Sequence, residues 1–413
     1  MTPSPTDRTI LRELAKRVAD IAALPIQEDR RRLWIKHNSL QRVRPLIFVS
    51  PEGSWRELVP WDSLRCDGEE AKKAEHSLRM RIYAHEHFDH DLPVERSWIV
   101  TKVITRSGWG LEPRQIPSPQ QHGAWRFDPV ILQPSDLKKL RFCEIALDER
   151  ATAQALADAQ ELFGDILHVK LKGVAHYSFH LMSQYTRLRG LEEVMLDMYD
   201  NPGMLHEAMS FLEEGHRRLL KAHEELGLLS LNNDETYQNS GGLGYTRQLP
   251  PPDCDPNRVR PIDMWGSAEA QELAQVSPEQ HEEFVLQYER RLLQPFGLTG
   301  YGCCENLTHK LDRVFTLPRI RRISISPFAD VDACAARLNG QYIFSWKPQP
   351  AHLVGDFDED LIRRYIRHTV KVCKESGCVL EMILKDTHTC DQRPQRFDRW
   401  TRIARQCINE AWA

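Results

Sequence analysis

Two short segments hold the residue types that do chemistry: Gly300-Tyr301-Gly302-Cys303-Cys304-Glu305-Asn306, and Lys385-Asp386-Thr387-His388-Thr389-Cys390. Each follows an apolar run that reads as a buried strand, residues 295–299 before the first and 378–384 before the second. Thiols, a carboxylate and an imidazole therefore sit just past the C-terminal ends of two strands. In an α/β barrel those ends converge on one mouth, where active sites are built. Thiolates with His or Glu form a ligand set that suits zinc. The candidate ligands are Cys303 or Cys304, Glu305, His388 and Cys390. His388 and Cys390 are two apart, so an extended backbone puts both on one face. The alternative is a pair of buried thiols and a surface histidine, because no tight C-x-x-C pair fixes the reading.

A third segment, Leu231-Asn232-Asn233-Asp234-Glu235-Thr236-Tyr237, places two amides and two carboxylates after a short apolar run. At a barrel mouth Asp234, Glu235 or His388 would serve as proton donor to a leaving group, and Asn233 would hold a polar ligand. The alternative is a solvated loop with a helix cap. His85-Glu86-His87-Phe88-Asp89-His90-Asp91 is dense in ligand types but reads as a charged helix end, with Asp91 the member nearest to the mouth. Among the tryptophans and phenylalanines on loops (Trp98, Trp109, Trp125, Phe127, Trp265 and Trp346), Trp265 is the candidate wall of a cofactor pocket.

The elements that must position these residues follow from periodicity. Leu11, Leu14, Val18 and Ile21 recur at helical spacing, and residues 1–43 read as a helical extension. Residues 67–88 look helical with little sign of a core face. Residues 105–135, rich in Gly, Pro and Gln, read as a long excursion over the rest. Beyond residue 150, helices over 150–163, 180–199, 203–226, 267–294, 328–338, 357–376 and 394–411 alternate with short strands. Eight strands in all, counting residues 44–49, 96–104, 166–171 and 228–231, predict a TIM-like (β/α)8 barrel over 44–413. Gly241-Gly242-Leu243-Gly244 has no helix clearly after it and is a weak phosphate-site signal.

Composition narrows the class. The 413 residues are 41% hydrophobic and 28% charged with a net charge of -4, a balance of soluble enzymes with no nucleic-acid footprint. No apolar run is long enough for a membrane span, and the polar N-terminus has no signal-peptide core, so a cytoplasmic protein is expected. The ten cysteines are scattered, which fits reduced thiols better than a disulfide framework.

The chain resembles the uroporphyrinogen decarboxylase superfamily, in its cobalamin-dependent methyltransferase branch. The residues that carry the resemblance are the run from Gly190 to Pro202, Ser277-Pro278 leading into Tyr301-Gly302-Cys303-Cys304, Ser324-Ile325-Ser326-Pro327, and the Cys390 segment. The resemblance implies a TIM-like barrel, a zinc held by thiolates, a corrinoid (free cobalamin or a separate corrinoid protein) as co-substrate, and pairing into a homodimer. It implies methyl transfer between the corrinoid and a small methyl ether, methylamine or thiol, as in an O-demethylase component. Zinc would act as a Lewis acid. The family's His-x-Cys pair is broken here, because its His falls on Gly302 or Tyr301. The Arg-rich N-terminal motif of the decarboxylases is not found. The alternative activities are a metal-free decarboxylase or lyase and a tetrapyrrole-binding protein without turnover.

Overall fold

The computed structural model describes residues 3–118 and 126–412. Its centre is a seven-stranded sheet: β1 (Leu46–Val49), β2 (Ser178–Phe179), β3 (Trp265–Ala268), β4 (Leu298–Tyr301), β5 (Ile320–Ile325), β6 (Ile343–Trp346) and β7 (Val379–Leu384). The order is β1-β7-β6-β5-β4-β3-β2, and each pair is parallel. Consecutive strands are neighbours and the last pairs with the first, the wrap-around of a barrel. Ser97–Thr101 pairs in parallel with His168–Lys172, the stretch just before β2. The Asp91 N–H, shortly before that strand, donates to the Ile47 carbonyl of β1 at 2.7 Å. The chain is thus an α/β protein with a TIM-like barrel, helices surrounding the sheet.

Membership of the sheet differs from the sequence expectation at several places. The expected strands over 96–104 and 166–171 pair with each other outside the seven-stranded sheet, and Ser178–Phe179, just before the helix expected over 180–199, joins the sheet. Residues 228–231 give one isolated bridge, Leu229 to Val174, and do not join the sheet. Trp265–Ala268 is a strand where a helix start was expected. Gly266 is the reason: a Cβ there would lie 2.5 Å from the Phe296 ring, so only glycine lets that ring cover the strand. The helix expected over 267–294 begins only at Pro278, with Ser277 capping the Gln280 N–H.

The N-terminal helices form as expected, Pro5–Ala22 and Pro25–Asn38. The helix Glu69–His87 does have a core face, made of Ala71, Ala74, Leu78 and Ile82, which pack with Ile10, Leu11 and Val18. Two alanines in that stripe hid it from a hydropathy reading. The second helix buries Trp34, His37 and Asn38, and His37 reaches Glu381 of β7 at 3.0 Å.

The barrel interior holds a plug. After Asn232 the chain turns inward, and Tyr237 and Leu243 bridge to each other. Gly241 and Gly242, between them, lie against Ser345, Lys347 and the Arg322–Glu381 ion pair. The Asn38 amide holds the plug through the Leu243 and Tyr245 carbonyls at 2.8 and 2.7 Å. Gly241-Gly242-Leu243-Gly244 is therefore packing against strand side chains. Among the described residues, no helix is long and apolar enough to cross a membrane.

Candidate functional site

Strand register assembles the site. Phe179, Ala268 and Tyr301 are level across β2, β3 and β4. The residues that follow them, His180, Glu269 and Gly302-Cys303, therefore emerge together at the C-terminal ends. Lys385 follows β7 in the same way. His180, Glu269 and Cys303 line one cavity of about 630 Å³, a size that suits a small-molecule ligand. Its walls include Trp109, Leu111 and Pro113 from the long excursion, and Ser178, Gln184 and His216 from the barrel side. The first part of the excursion, from Arg106 to Pro113, thus contributes to the pocket wall. Trp125 lies outside the described residues.

His180 Nδ1 is hydrogen-bonded to the buried Glu269 carboxylate. Burial alone would lower the imidazole pKa, but the Glu269 bond and charge prevail and raise it. Imidazolium is thereby favoured, a form that can give up a proton. Cys303 is buried, with its sulfur 3.5 Å from Cys304 Sγ and 3.2 Å from Lys385 Nζ. The Cys304 hydrogen bond and the Lys385 charge bring the Cys303 thiol below its ordinary value against the opposing effect of burial. Cys304 moves the other way because it supplies that bond. The two shifts together favour a thiolate at Cys303 beside a thiol at Cys304. Cys304 also sits 3.4 Å from Asp386 Oδ2. Burial lowers Lys385, but Tyr237, Cys303 and Asp386 outweigh it, so the ammonium is kept.

Glu305 is buried beneath the thiol pair, accepting from the Cys303 N–H at 2.8 Å and the Ala270 N–H at 3.2 Å. It ties the loop after β4 to the loop after β3. Burial, then the Glu269 charge, raise its pKa.

The remaining expected residues stand elsewhere. Cys390 is fully buried and its Sγ donates to Glu57 Oε2 at 3.0 Å. His388 is exposed, and its carbonyl accepts from Arg56 at 3.0 Å. Zinc needs about three protein donors converging on one point. Among the described residues no three His, Cys, Asp or Glu side chains are so gathered. The residues as arranged do not fit zinc: Glu57 takes Cys390, His388 faces solvent, and an ammonium sits against Cys303.

Asp234 pairs with Lys172, and Glu235 faces Ser97 Oγ at 3.3 Å in a separate recess that Arg81 also lines. They miss the Cys303 cavity because residues 228–231 are not a sheet strand. Asn233 donates to the Leu249 carbonyl at 2.9 Å. Trp265 is buried in β3, its Nε1–H donating to the Gly244 carbonyl at 3.0 Å with the Arg322 guanidinium 5.0 Å from its ring centre. It packs the barrel and does not line the Cys303 cavity. Asp91 is at the opposite end of the barrel, pairing with Arg44 and Arg405 ahead of β1.

His180 and Glu269 were missed by the sequence reading. A strand ending at Phe179 was hidden by its length, and β3 by its Gly and Ser. Lys385 was in the motif without a role.

No family model matches the chain, and no curated protein matches it. Among solved structures, the chain is similar to a methyltransferase from Methanosarcina mazei, at 10% identity and a TM-score of 0.49, over 93% of this chain and 99% of that one. A likeness at that level carries no argument about activity.

Proposed function

We propose that this protein is a methyltransferase that moves a methyl group between a small methylated substrate in the Cys303 cavity and a corrinoid presented at the open mouth. The support is the sequence resemblance together with one observation: an imidazole hydrogen-bonded to a buried carboxylate, lining the same cavity as a thiol in contact with an ammonium, at the C-terminal ends of barrel strands. A corrinoid, when bound, supplies a cobalt centre that takes up or gives back the methyl group. The chain's own residues bind the substrate, exclude water and handle the proton. In demethylation of a methyl ether, the carbon–oxygen bond breaks and the oxygen leaves with the electron pair. His180 is the acid that protonates it, and Glu269 keeps that acid charged until transfer. The Cys303–Lys385 pair sets the polarity of the inner end of the cavity.

A metal-free decarboxylase or lyase is the second reading, and the same His180 favours it, since a carbanion left by carbon dioxide also needs an acid. Incubation with cob(I)alamin and a panel of methyl ethers and methylamines, followed in the visible spectrum, separates the two. Methylcobalamin formation that falls at least ~100-fold in His180→Ala supports methyl transfer. Carbon dioxide release without cobalamin methylation would overturn it in favour of the second reading.

A further inference from the structure

Cys303 and Cys304 are neighbours in the chain, and their sulfurs stand 3.5 Å apart. The two sulfurs have opposite partners. Lys385 Nζ lies 3.2 Å from the Cys303 sulfur, whereas the Cys304 thiol donates to Asp386 Oδ2 at 3.4 Å. Lys385 and Asp386 are themselves adjacent, so one dipeptide of the loop after β7 meets one dipeptide of the loop after β4. A cation beside a sulfur favours the nucleophilic thiolate. A carboxylate beside the other sulfur is placed to take its proton. The pair is thus built as one attacking sulfur and a second sulfur that can be deprotonated in its turn.

Access and mobility are divided in the same way. Cys303 lines the cavity, so a small solute reaches it from the mouth. Its backbone is fixed at both ends: Glu305 accepts from its N–H at 2.8 Å, and Ser324 Oγ donates to its carbonyl at 2.6 Å. Cys304 is only half-buried, so the movement that closes the two sulfurs falls on its side chain. A disulfide needs the sulfurs at about 2.0 Å. Adjacent Cα atoms are about 3.8 Å apart, below the usual disulfide span of about 4.4–6.8 Å. A bond between chain neighbours is therefore strained and easily reduced, the property of a reversible couple rather than a structural bridge. Once Cys303 is no longer a thiolate, Lys385 keeps Asp386 as its counter-charge at 3.6 Å.

We infer that Cys303 and Cys304 form a further reactive centre, a two-electron thiol–disulfide couple that reduces small hydroperoxides at the expense of a dithiol. The Cys303 thiolate attacks the terminal oxygen of the hydroperoxide and the oxygen–oxygen bond breaks. The departing alkoxide takes from solvent the proton that Cys303 gave up, and leaves as an alcohol. Cys303 is then a sulfenic acid. Asp386 accepts the Cys304 proton, and the Cys304 sulfur attacks the Cys303 sulfur. The sulfur–oxygen bond breaks, and hydroxide leaves with that proton as water. Two sulfurs have given up two electrons, and the hydroperoxide has become one alcohol and one water. A small dithiol then returns both thiols by exchange and is itself oxidised to a disulfide. This activity involves no corrinoid and stands apart from the proposed methyl transfer.

Reduced native protein is mixed with a stoichiometric amount of hydrogen peroxide, alkylated with N-ethylmaleimide and mapped by peptide mass spectrometry. The peptide holding both cysteines loses two hydrogens and escapes alkylation before Cys254, a partly exposed thiol outside the cavity, reacts. Dithiothreitol restores it. Cys304→Ser stops at the sulfenic acid, which dimedone traps on Cys303. Asp386 has φ +59°, a conformation that asparagine also tolerates. Asp386→Asn therefore keeps the loop, leaves the first step intact and slows closure of the disulfide at least ~10-fold. The inference is overturned if native wild type forms no link between the two cysteines, if Cys254 is oxidised first, or if Cys303 passes to the sulfinic acid while Cys304 stays reduced. An unchanged closure rate in an Asp386→Asn protein of wild-type melting temperature overturns it as well.

Discussion

The Lys385 ammonium lies 3.2 Å from the Cys303 sulfur, in direct contact with one of a pair of adjacent thiols. A thiolate is the reactive form of cysteine, and a neighbouring ammonium stabilises it. Replacing Lys385 by Met removes that charge and keeps the stem. Alkylation of Cys303 by iodoacetamide, followed against pH by peptide mass spectrometry, should begin at lower pH in wild type than at an ordinary cysteine. In Lys385→Met the profile should move up toward the ordinary value near 8.5. Cys304→Ser should also move it up, because the Cys304 bond contributes to the same shift. Profiles that coincide for all three proteins would show that this contact does not control the thiol.

His180 gives a pH prediction of definite sign. Its folded pKa is raised by Glu269, over the opposing effect of burial. A reaction that needs imidazolium then runs fully below that pKa and is lost as pH rises through it. In Glu269→Gln the support disappears and burial remains, so the loss moves to lower pH. The rate at pH 7 should fall ~10-fold or more, since general acid catalysis contributes about 10²–10⁴-fold. Proton NMR of the His180 ring across the same range checks the shift independently of the reaction. A His180 titration unmoved by Glu269→Gln would end this assignment.

How far the sequence shows the fold depends on what each element buries. Strands buried on both faces, such as Val379–Leu384, read clearly because every residue is apolar or paired. Trp265–Ala268 does not, because its glycine exists to admit Phe296 rather than to break a strand. For the site, Cys303 was legible from its position after a strand. His180 was not, because β2 is only two residues long in the sheet. Cys390 misled for a different reason: it also follows a strand, but Glu57 draws it into the core. Sequence spacing carries no record of such a distant carboxylate.

Glu57 is the basis of a stability prediction. Its Oε2 accepts from the Cys390 and Gln392 N–H groups at 3.0 and 2.9 Å, and from Cys390 Sγ. Burial opposes its ionisation, yet bonds from Thr389, Cys390 and Gln392 hold its pKa at about 2. A carboxylate depressed in the folded state stabilises the fold above its unfolded pKa. That contribution is therefore present above about pH 4.5 and is lost as pH falls toward 2. Glu57→Ala orphans buried donors and should cost ~1–3 kcal/mol in urea unfolding at pH 7. The difference from wild type should narrow toward pH 2.

Cys390 also bears on metal. Because its thiol faces Glu57, Cys390→Ser should leave the metal content of the purified protein unchanged, as read by elemental mass spectrometry. One zinc per chain in wild type, lost in that variant, would mean the loop after β7 rearranges to bring Cys390 to the thiol pair.

The barrel plug can be tested with two glycines that share a conformation. Gly242 has φ +62° and Gly355 has φ +60°, so alanine is strained at both. At Gly355 nothing lies within 4 Å of an added Cβ. Gly355→Ala should therefore cost only the left-handed backbone term, ~1–2 kcal/mol. At Gly242 the same Cβ would sit 2.5 Å from Glu381 Oε2 and 2.8 Å from Arg322 Nη2. Those two groups form a fully buried ion pair at 2.9 Å, and His37 holds the far carboxylate oxygen. The pair cannot separate without leaving two buried charges unmet, which costs about 3–5 kcal/mol when one partner is removed. Nor can the plug lift away freely, because Asn38 holds it from below. Gly242→Ala should therefore destabilise by at least ~2 kcal/mol more than Gly355→Ala in urea unfolding. Equal losses would mean that the plug backs out of the barrel at little cost, and that the ion pair, not the glycine loop, fills the interior.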